Sequence, residues 1–278
     1  MPASSVLHGQ MKRSNTTPPR LRSHWLHASG GLIWHLRALR YRNSLWRPFR
    51  NEVERWLQAW QPPVNKLIIV GPSAGYTLDA DFLQRWQDIV VLEPDPLARR
   101  LLQWRYPDAR WRFESLDVLS DISDLAWLSK RFADHAILFS NVLGQIAPRD
   151  EAASQAWQHS VREILMDNHW ASYHDVISTS RPPVALAAQA PSGEALGELV
   201  ARFWHGGELE MVDHGTFGLG ECKSRSNFSN NAYCIWQLQP QQYHLVEWFS
   251  REPLDIDQGA LADAPSEKDC CISAEDGN

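Results

Sequence analysis

Short apolar runs alternate with amphipathic segments through the middle of the chain. In the amphipathic segments, apolar residues recur every three or four positions, which is typical of helices packed on one face. We expect strands at 67–70, 89–92, 110–113, 136–139 and 175–178. Helices are expected between them at 78–87, 96–106, 125–131 and 151–168. This alternation predicts right-handed βαβ units and an α/β fold, a Rossmann-like and mostly parallel sheet with helices on both faces.

The pattern changes on either side of this region. Positions 32–60 have helical periodicity, with Pro48 marking a kink or a fresh start and Pro62 and Pro63 ending the segment. Beyond 179, a helix is expected at 195–204. Two strands at 232–239 and 243–249 then flank Pro240, which predicts a C-terminal antiparallel hairpin.

These changes divide the chain into four parts. Residues 1–22 are polar, basic and without periodicity, so we expect a disordered leader, followed at 23–61 by a helical N-terminal extension that caps one edge of the sheet. The α/β domain is expected to span 62–250. Seven acids and one lysine lie between 255 and 278, so 251–278 is expected to form a disordered acidic tail.

Composition excludes several classes of protein. The 278 residues contain no apolar run near the roughly 20 residues of a membrane span, and no secretory leader is recognised. Four cysteines without a C-x-x-C pair indicate neither a zinc framework nor a disulfide scaffold, so we expect a cytoplasmic protein and no metal. A loose group of residue types that bind metals is interpreted as surface loop: His205, Asp213, His214, Glu221 and Cys222.

The net charge of −6 hides an uneven distribution. The first 60 residues contain ten basic side chains and only two acids, Glu52 and Glu54. Such a segment could contact nucleic acid or an acidic protein, although a solvated basic helix face is the favoured interpretation. The 14 tryptophans are interpreted mainly as core or groove residues, among them Trp56, Trp60, Trp86, Trp104 and Trp127.

The candidate chemistry begins where the first apolar run ends. There the chain reads Gly71-Pro72-Ser73-Ala74-Gly75, and the next apolar run ends at Glu93, 22 positions after Gly71. Glycines let a backbone approach a ligand closely, and an acid about 20 residues further on accepts ribose hydroxyls. The spacing therefore predicts a site for a cofactor that contains a ribose.

This order of elements resembles the class I S-adenosylmethionine-dependent methyltransferases over residues 66 to about 180. The resemblance is carried by the glycine loop, by Glu93, by Asp117 after the third strand and by Asn141 after the fourth. It implies S-adenosylmethionine as the cofactor, with Gly71, Pro72, Ser73 and Gly75 under its methionine part. It further implies that Glu93 binds the ribose and Asp117 the adenine, and that Asn141 lies near the reactive end. The methyl acceptor and the catalytic residues are not identified by it.

Two alternatives remain open. The loop also reads G-x-S-x-G, as in serine esterases of the α/β-hydrolase type, with Ser73 as nucleophile and a triad completed by Asp175 and either His214 or His244. That fold needs several strands before the loop, and residues 1–65 predict none. The other alternative is a non-catalytic, methyltransferase-like protein that acts through a partner.

A proton acceptor for methyl transfer is sought around the fifth strand. Four residues there have suitable side chains: His169, Tyr173, His174 and Asp175. Satisfied structural polar groups are the more common role for such residues.

Overall fold

The computed structural model describes residues 31–114, 119, 121–189, 194–205, 209–220 and 231–253. The leader expected at 1–22 lies outside these residues, as does the expected tail from 254 onward. Asp117 also lies outside them.

Two helices precede the sheet. α1 (Gly31–Tyr41) and α2 (Arg47–Ala59) are separated by a turn, and Pro48 lies in the first turn of α2, where its missing N–H is not needed. Pro48 therefore marks a fresh start rather than a kink. α2 buries Phe49 and Val53, and the indole N–H of the preceding Trp46 donates to the carbonyl of Leu238 at 3.1 Å.

The remaining elements form one sheet with helices on both faces. The strands are β1 (Lys66–Val70), β2 (Asp88–Leu92), β3 (Trp111–Glu114), β4 (Ala136–Ser140), β5 (Trp170–Thr179), β6 (Ala187–Gln189), β7 (Val212–Asp213), β8 (Ala232–Gln239) and β9 (Gln242–Arg251). The helices are α3 (Ala80–Gln84), α4 (Pro96–Arg105), α5 (Ile122–Arg131), α6 (Leu143–Ile146), α7 (Glu151–Ile164) and α8 (Leu196–Phe203). No helix in these ranges is both long and apolar enough to cross a bilayer.

The strand order is β3-β2-β1-β4-β5-β9-β8-β6, with β7 paired to β5. β1 to β5 run parallel, whereas β9 is antiparallel to both β5 and β8. The predicted fold, a mostly parallel Rossmann-like sheet closed by an antiparallel hairpin, is confirmed.

Alternate residues of the central strand enter opposite cores. In β1, Leu67 and Ile69 face one core and Ile68 and Val70 face the other. The first core is rich in aromatic rings from α2 and the hairpin.

The expected tryptophans divide between the cores and the surface. Trp60 and Trp86 are buried as predicted, and the half-buried Trp56 stacks on Trp248 of the hairpin at 5.6 Å between ring centroids. The prediction is wrong for Trp104, which is 76% exposed, and Trp127 is 37% exposed. Helical spacing alone does not say which face of a helix is covered.

Several element boundaries differ from the prediction. α3 begins only at Ala80 because the Asp79 carboxylate caps it, accepting from the Phe82 N–H at 3.0 Å. α7 ends at Ile164, four residues early, and β9 continues to Arg251, one residue past the expected domain limit.

β5 departs furthest from the expectation because it spans ten residues instead of four. Its pairing with β9 extends to Thr179↔Tyr243, which provides hydrogen bonds beyond the last β4 pair, Ser140↔Tyr173. The edge formed by the carboxyl ends of the strands therefore crosses β5 near Asp175. The strand expected at 175–178 is thus only the part of β5 that lies at and beyond this edge.

Candidate functional site

A cavity of about 570 Å³ opens at the carboxyl ends of β1, β4 and β5. Gly71, Pro72 and Ser73 form one wall, while Asn141 and Asp175 lie on another. α1 and the hairpin close it with Trp34, Arg37, Trp236 and His244. Four of the sequence-predicted cofactor residues therefore share one cavity, in the position where open α/β sheets bind ligands.

The loop after β1 depends on its glycines. Gly71 and Gly75 have φ angles of +65° and +64°, and Ser73 between them has +52°. A Cβ atom on Gly71 would lie 2.1 Å from Val142 Cγ1, and one on Gly75 would lie 2.6 Å from Leu102 Cδ1. Both positions combine a left-handed backbone with a close neighbour, so a side chain at either would be strained.

Glu93 lies beneath this loop rather than in the cavity wall. Its Oε2 accepts the Ser73 N–H at 2.7 Å, its Oε1 accepts the Asp95 N–H at 3.0 Å, and only 5% of the residue is exposed. Burial raises the pKa of Glu93 to about 7, against the opposing effect of these two backbone hydrogen bonds. Glu93 is thus joined to the glycine loop, but as a buried acid.

α1 covers the region above Glu93. His35, 3% exposed, lies with Nδ1 2.8 Å from the Tyr76 hydroxyl and Nε2 3.2 Å from Asp95 Oδ2. The N-terminal extension therefore contacts both the glycine loop region and the turn after β2.

Asn141 positions Asp175. Its backbone has φ +55°, and its side-chain Oδ1 accepts the Asp175 N–H at 3.1 Å while Nδ2 donates to Asp175 Oδ2 at 3.4 Å. Gly144 is required beside them, since a Cβ there would lie 2.8 Å from the Asp175 carbonyl oxygen. The cofactor residue expected at the end of β4 is thus tied to an acid that the resemblance did not include.

Asp175 lies in a cluster with His214 and His244. One side-chain ligand atom from each of the three lies within 4.8 Å of the others, and His244 Nδ1 is 3.2 Å from Asp175 Oδ2. The two imidazole rings stack at 5.9 Å. Burial alone would raise the pKa of Asp175, but His244, His214 and Asn141 outweigh it and hold that pKa below its usual value. Burial lowers the pKa of His214, with Asp175 opposing the shift.

This cluster corrects one interpretation of the sequence. His214 is half-buried and held by its N–H to the Val176 carbonyl at 2.8 Å, so its assignment to a surface loop is wrong. His205 and Asp213 are exposed as expected. Glu221 and Cys222 lie outside the described residues.

The other candidate proton acceptors have different positions. His174 is fully buried, 3.3 Å from Glu247 Oε2, and is not part of the cavity wall; His169 precedes the opposite end of β5. Tyr173 does line the cavity, with its hydroxyl hydrogen-bonded to Thr77 and Ser140 and its pKa raised to about 12 by burial. Tyr173 and Asp175 alone of the four reach the site.

The serine esterase receives no support from this arrangement. Across residues 31–65 no strand precedes β1, although the hydrolase fold requires several. Among the described residues, the Ser73 hydroxyl forms no hydrogen bond with His214 or His244, although all three line the cavity.

No protein-family model and no curated protein matches this chain. Among solved structures, the N-methyltransferase NodS from Bradyrhizobium japonicum WM9 is 12% identical, with 76% of this chain and 98% of NodS covered at a TM-score of 0.39. The glycopeptide N-methyltransferase MtfA, in complex with S-adenosylmethionine, is 14% identical. The match covers 73% of this chain and 94% of MtfA at a TM-score of 0.37. A candidate Zn-dependent alcohol dehydrogenase from Rhodobacter sphaeroides is 12% identical. The match covers 45% of this chain and 46% of the dehydrogenase at a TM-score of 0.32. Likenesses of this size carry no argument about function, and the fold assignment follows from this chain's own strand order and register.

Proposed function

We propose that this protein is an S-adenosylmethionine-dependent methyltransferase. One observation carries the proposal: the glycine loop 71–75 is hydrogen-bonded through Ser73 to the buried acid Glu93 and opens into a cavity that continues to Asn141. A strand, a glycine turn and an acid at the end of the next strand are the elements that a ribose-containing ligand requires. The resemblance of the sequence to class I methyltransferases indicates that this ligand is S-adenosylmethionine.

Part of the residue set fits this cofactor. Gly71 lies in the cavity wall beside Pro72 and Ser73, where the methionine part would lie, whereas Gly75 lies outside that wall against Leu102 and Tyr106. Each Glu93 oxygen accepts one backbone N–H and has a further lone pair for a ribose hydroxyl. Because Glu93 is 5% exposed and lies outside the cavity wall, ribose binding requires α1 or the loop to move aside. When bound, S-adenosylmethionine supplies a methyl group activated by its sulfonium.

The far side of the cavity suits a polar acceptor. Asn141, Asp175 and His244 line it, and Arg37 and Arg149 add two guanidinium groups. A bound cofactor would supply the methyl group to an acceptor oxygen or nitrogen, and the electron pair of the broken carbon–sulfur bond would stay on sulfur. The proton of the acceptor leaves to water or to a basic group of the protein. The chain's task is to hold the acceptor in line with that bond.

Calorimetric titration with S-adenosylmethionine and S-adenosylhomocysteine tests the proposal. We expect micromolar binding of both to the wild type, and loss of binding in Glu93→Ala. Glu198→Ala removes an exposed acid from α8 and provides the matched control, which should bind like the wild type.

Two outcomes would contradict the proposal. A well-folded wild type that binds neither compound would favour the non-catalytic alternative, in which activity depends on a partner. Binding that is equally strong in Glu93→Ala would place the ligand elsewhere on the protein.

A further inference from the structure

We propose that Asp175, His214 and His244 bind a divalent transition-metal ion, with Zn²⁺ as the probe, at the acceptor side of the cavity. The three side chains come from β5, from the turn after β7 and from β9, and one ligand atom of each lies within 4.8 Å of the others. All three line the same cavity. Nothing in the sequence spacing indicates this site.

The donor set selects the class of ion. Two imidazoles and one carboxylate suit Zn²⁺ and neighbouring transition metals, whereas Mg²⁺ and Ca²⁺ prefer oxygen ligands alone. Zinc sites with three protein ligands keep a further position for water or substrate. Here the position for water or substrate would face the cavity, because all three ligand residues belong to the cavity wall.

The carboxylate has an acceptor atom without a partner. Asp175 is 8% exposed, and its Oδ1 has no hydrogen bond among the described residues. Such a buried oxygen carries a cost unless a donor or a cation satisfies it. A metal ion held jointly with the two histidines would satisfy it directly.

Outer contacts already orient the three ligands. His214 Nε2 lies 3.1 Å from Ser178 Oγ, and His244 Nε2 lies 3.0 Å from the Gln242 side-chain amide. Asn141 holds Asp175, as described above. Metal-binding histidines commonly have one ring nitrogen fixed in this way. His244 keeps Nδ1 for the ion, whereas His214, which is also hydrogen-bonded to the Gly144 backbone, would exchange that bond for the ion.

A hydrogen-bonded acid–histidine pair would need only one of the two imidazoles. Asp175 and His244 at 3.2 Å would suffice for such a pair, and His214 would have no part in it. The convergence of a second, stacked imidazole on the same carboxylate is the feature that a metal site explains.

The role of the ion rests on the proposed function, although its binding does not. A metal-bound hydroxyl group loses its proton far more readily than a free one, because the cation stabilises the oxyanion. The acceptor would then carry a hydroxyl that ligates the ion while the methyl group arrives from the glycine-loop side. Methyl acceptors with a metal-binding oxygen are the class this arrangement favours.

Metal binding is measured on the chelator-treated full chain without S-adenosylmethionine, so failure here is distinct from failure of the methyltransferase proposal. Zn²⁺ is titrated in competition with a chromogenic chelator. We expect one Zn²⁺ per chain, weakened by more than about 100-fold in His244→Ala and in Asp175→Asn, since loss of an outer contact alone typically weakens binding by about 10–100-fold. Ser178→Ala should fall in that smaller range.

The matched control is His205→Ala, which removes an exposed histidine outside the cluster and should bind Zn²⁺ like the wild type. Ser178→Ala keeps all three ligands, so it tests the site even where a ligand variant does not fold. Absence of stoichiometric Zn²⁺ binding by the wild type would overturn the proposal. Equal loss in His205→Ala and His244→Ala would overturn it as well.

Discussion

Replacing Glu93 by glutamine should remove a pH dependence of stability that one buried acid creates. The folded-state pKa of Glu93 is about 7, raised from its ordinary value by burial, while Asp95 adds to the increase and Arg99 opposes it. In the unfolded chain the same group titrates near 4.3. Between these values the folded protein holds a proton that the unfolded chain has lost, so stability falls as pH rises.

The magnitude follows from the difference between the two pKa values. Each pKa unit corresponds to about 1.4 kcal/mol, so the wild type should lose up to about 4 kcal/mol of unfolding free energy relative to Glu93→Gln. The stability that this raised pKa adds to the wild type is fully present below about pH 4.5 and is gone above about pH 8. Glutamine also leaves one of two backbone N–H groups, of Ser73 or Asp95, without its acceptor, which lowers stability equally at every pH.

The assay is urea denaturation of both proteins at pH 5, 6, 7 and 8, with Glu198→Gln as the control for loss of an exposed acid. The difference between wild type and Glu93→Gln should decrease steadily with pH, while the control follows the wild type. Parallel profiles for wild type and Glu93→Gln would refute the reasoning. So would a wild type that gains stability relative to the variant as pH rises.

Three further predictions concern the loop, the core and the buried tyrosine. Gly71→Ala should destabilise the fold by about 2–4 kcal/mol in urea denaturation, because the new side chain combines left-handed backbone strain with a clash against Val142. Adding Val142→Ala should restore only the stability lost to the clash. Phe49→Ala should lower the free energy of unfolding by about 3–5 kcal/mol, since Phe49 is 1% exposed. Trp104 is 76% exposed, so Trp104→Ala should lower it by about 0.5 kcal/mol or less in the same assay. Equal losses would contradict the packing described. Tyr173→Phe should lower the free energy of unfolding by about 1–3 kcal/mol, because the buried hydroxyls of Thr77 and Ser140 each lose a hydrogen-bond partner. An unchanged midpoint of urea denaturation would show that these bonds contribute nothing.

The sequence predicts the sheet well because its apolar runs are short, separate and bounded by turn residues. The strands at 67–70, 89–92 and 136–139 agree with β1, β2 and β4 to within a residue or two. The glycine loop is also predictable, because glycine adopts the left-handed backbone found at positions 71 and 75 without steric cost. Local chemistry alone determines both features.

Features that depend on distant partners could not be predicted in this way. The length of β5 depends on its pairing with β9, a strand some 70 residues later, so the sequence predicts only residues 175–178 of its ten. Burial of Glu93 depends on how α1 and the loop cover it, and sequence spacing says nothing of that. The sequence suggests Asp175 and either His214 or His244 as partners of Ser73 in a triad, but the convergence of all three without Ser73 depends on the fold.

The most direct test of the account is a crystal structure of the protein with S-adenosylhomocysteine. The account predicts the homocysteine part against Gly71 and Ser73, the ribose hydroxyls on Glu93, and the sulfur facing the side of the cavity that holds Asn141. A ligand bound elsewhere, or a cavity that remains empty at saturating ligand, would contradict the proposed cofactor site.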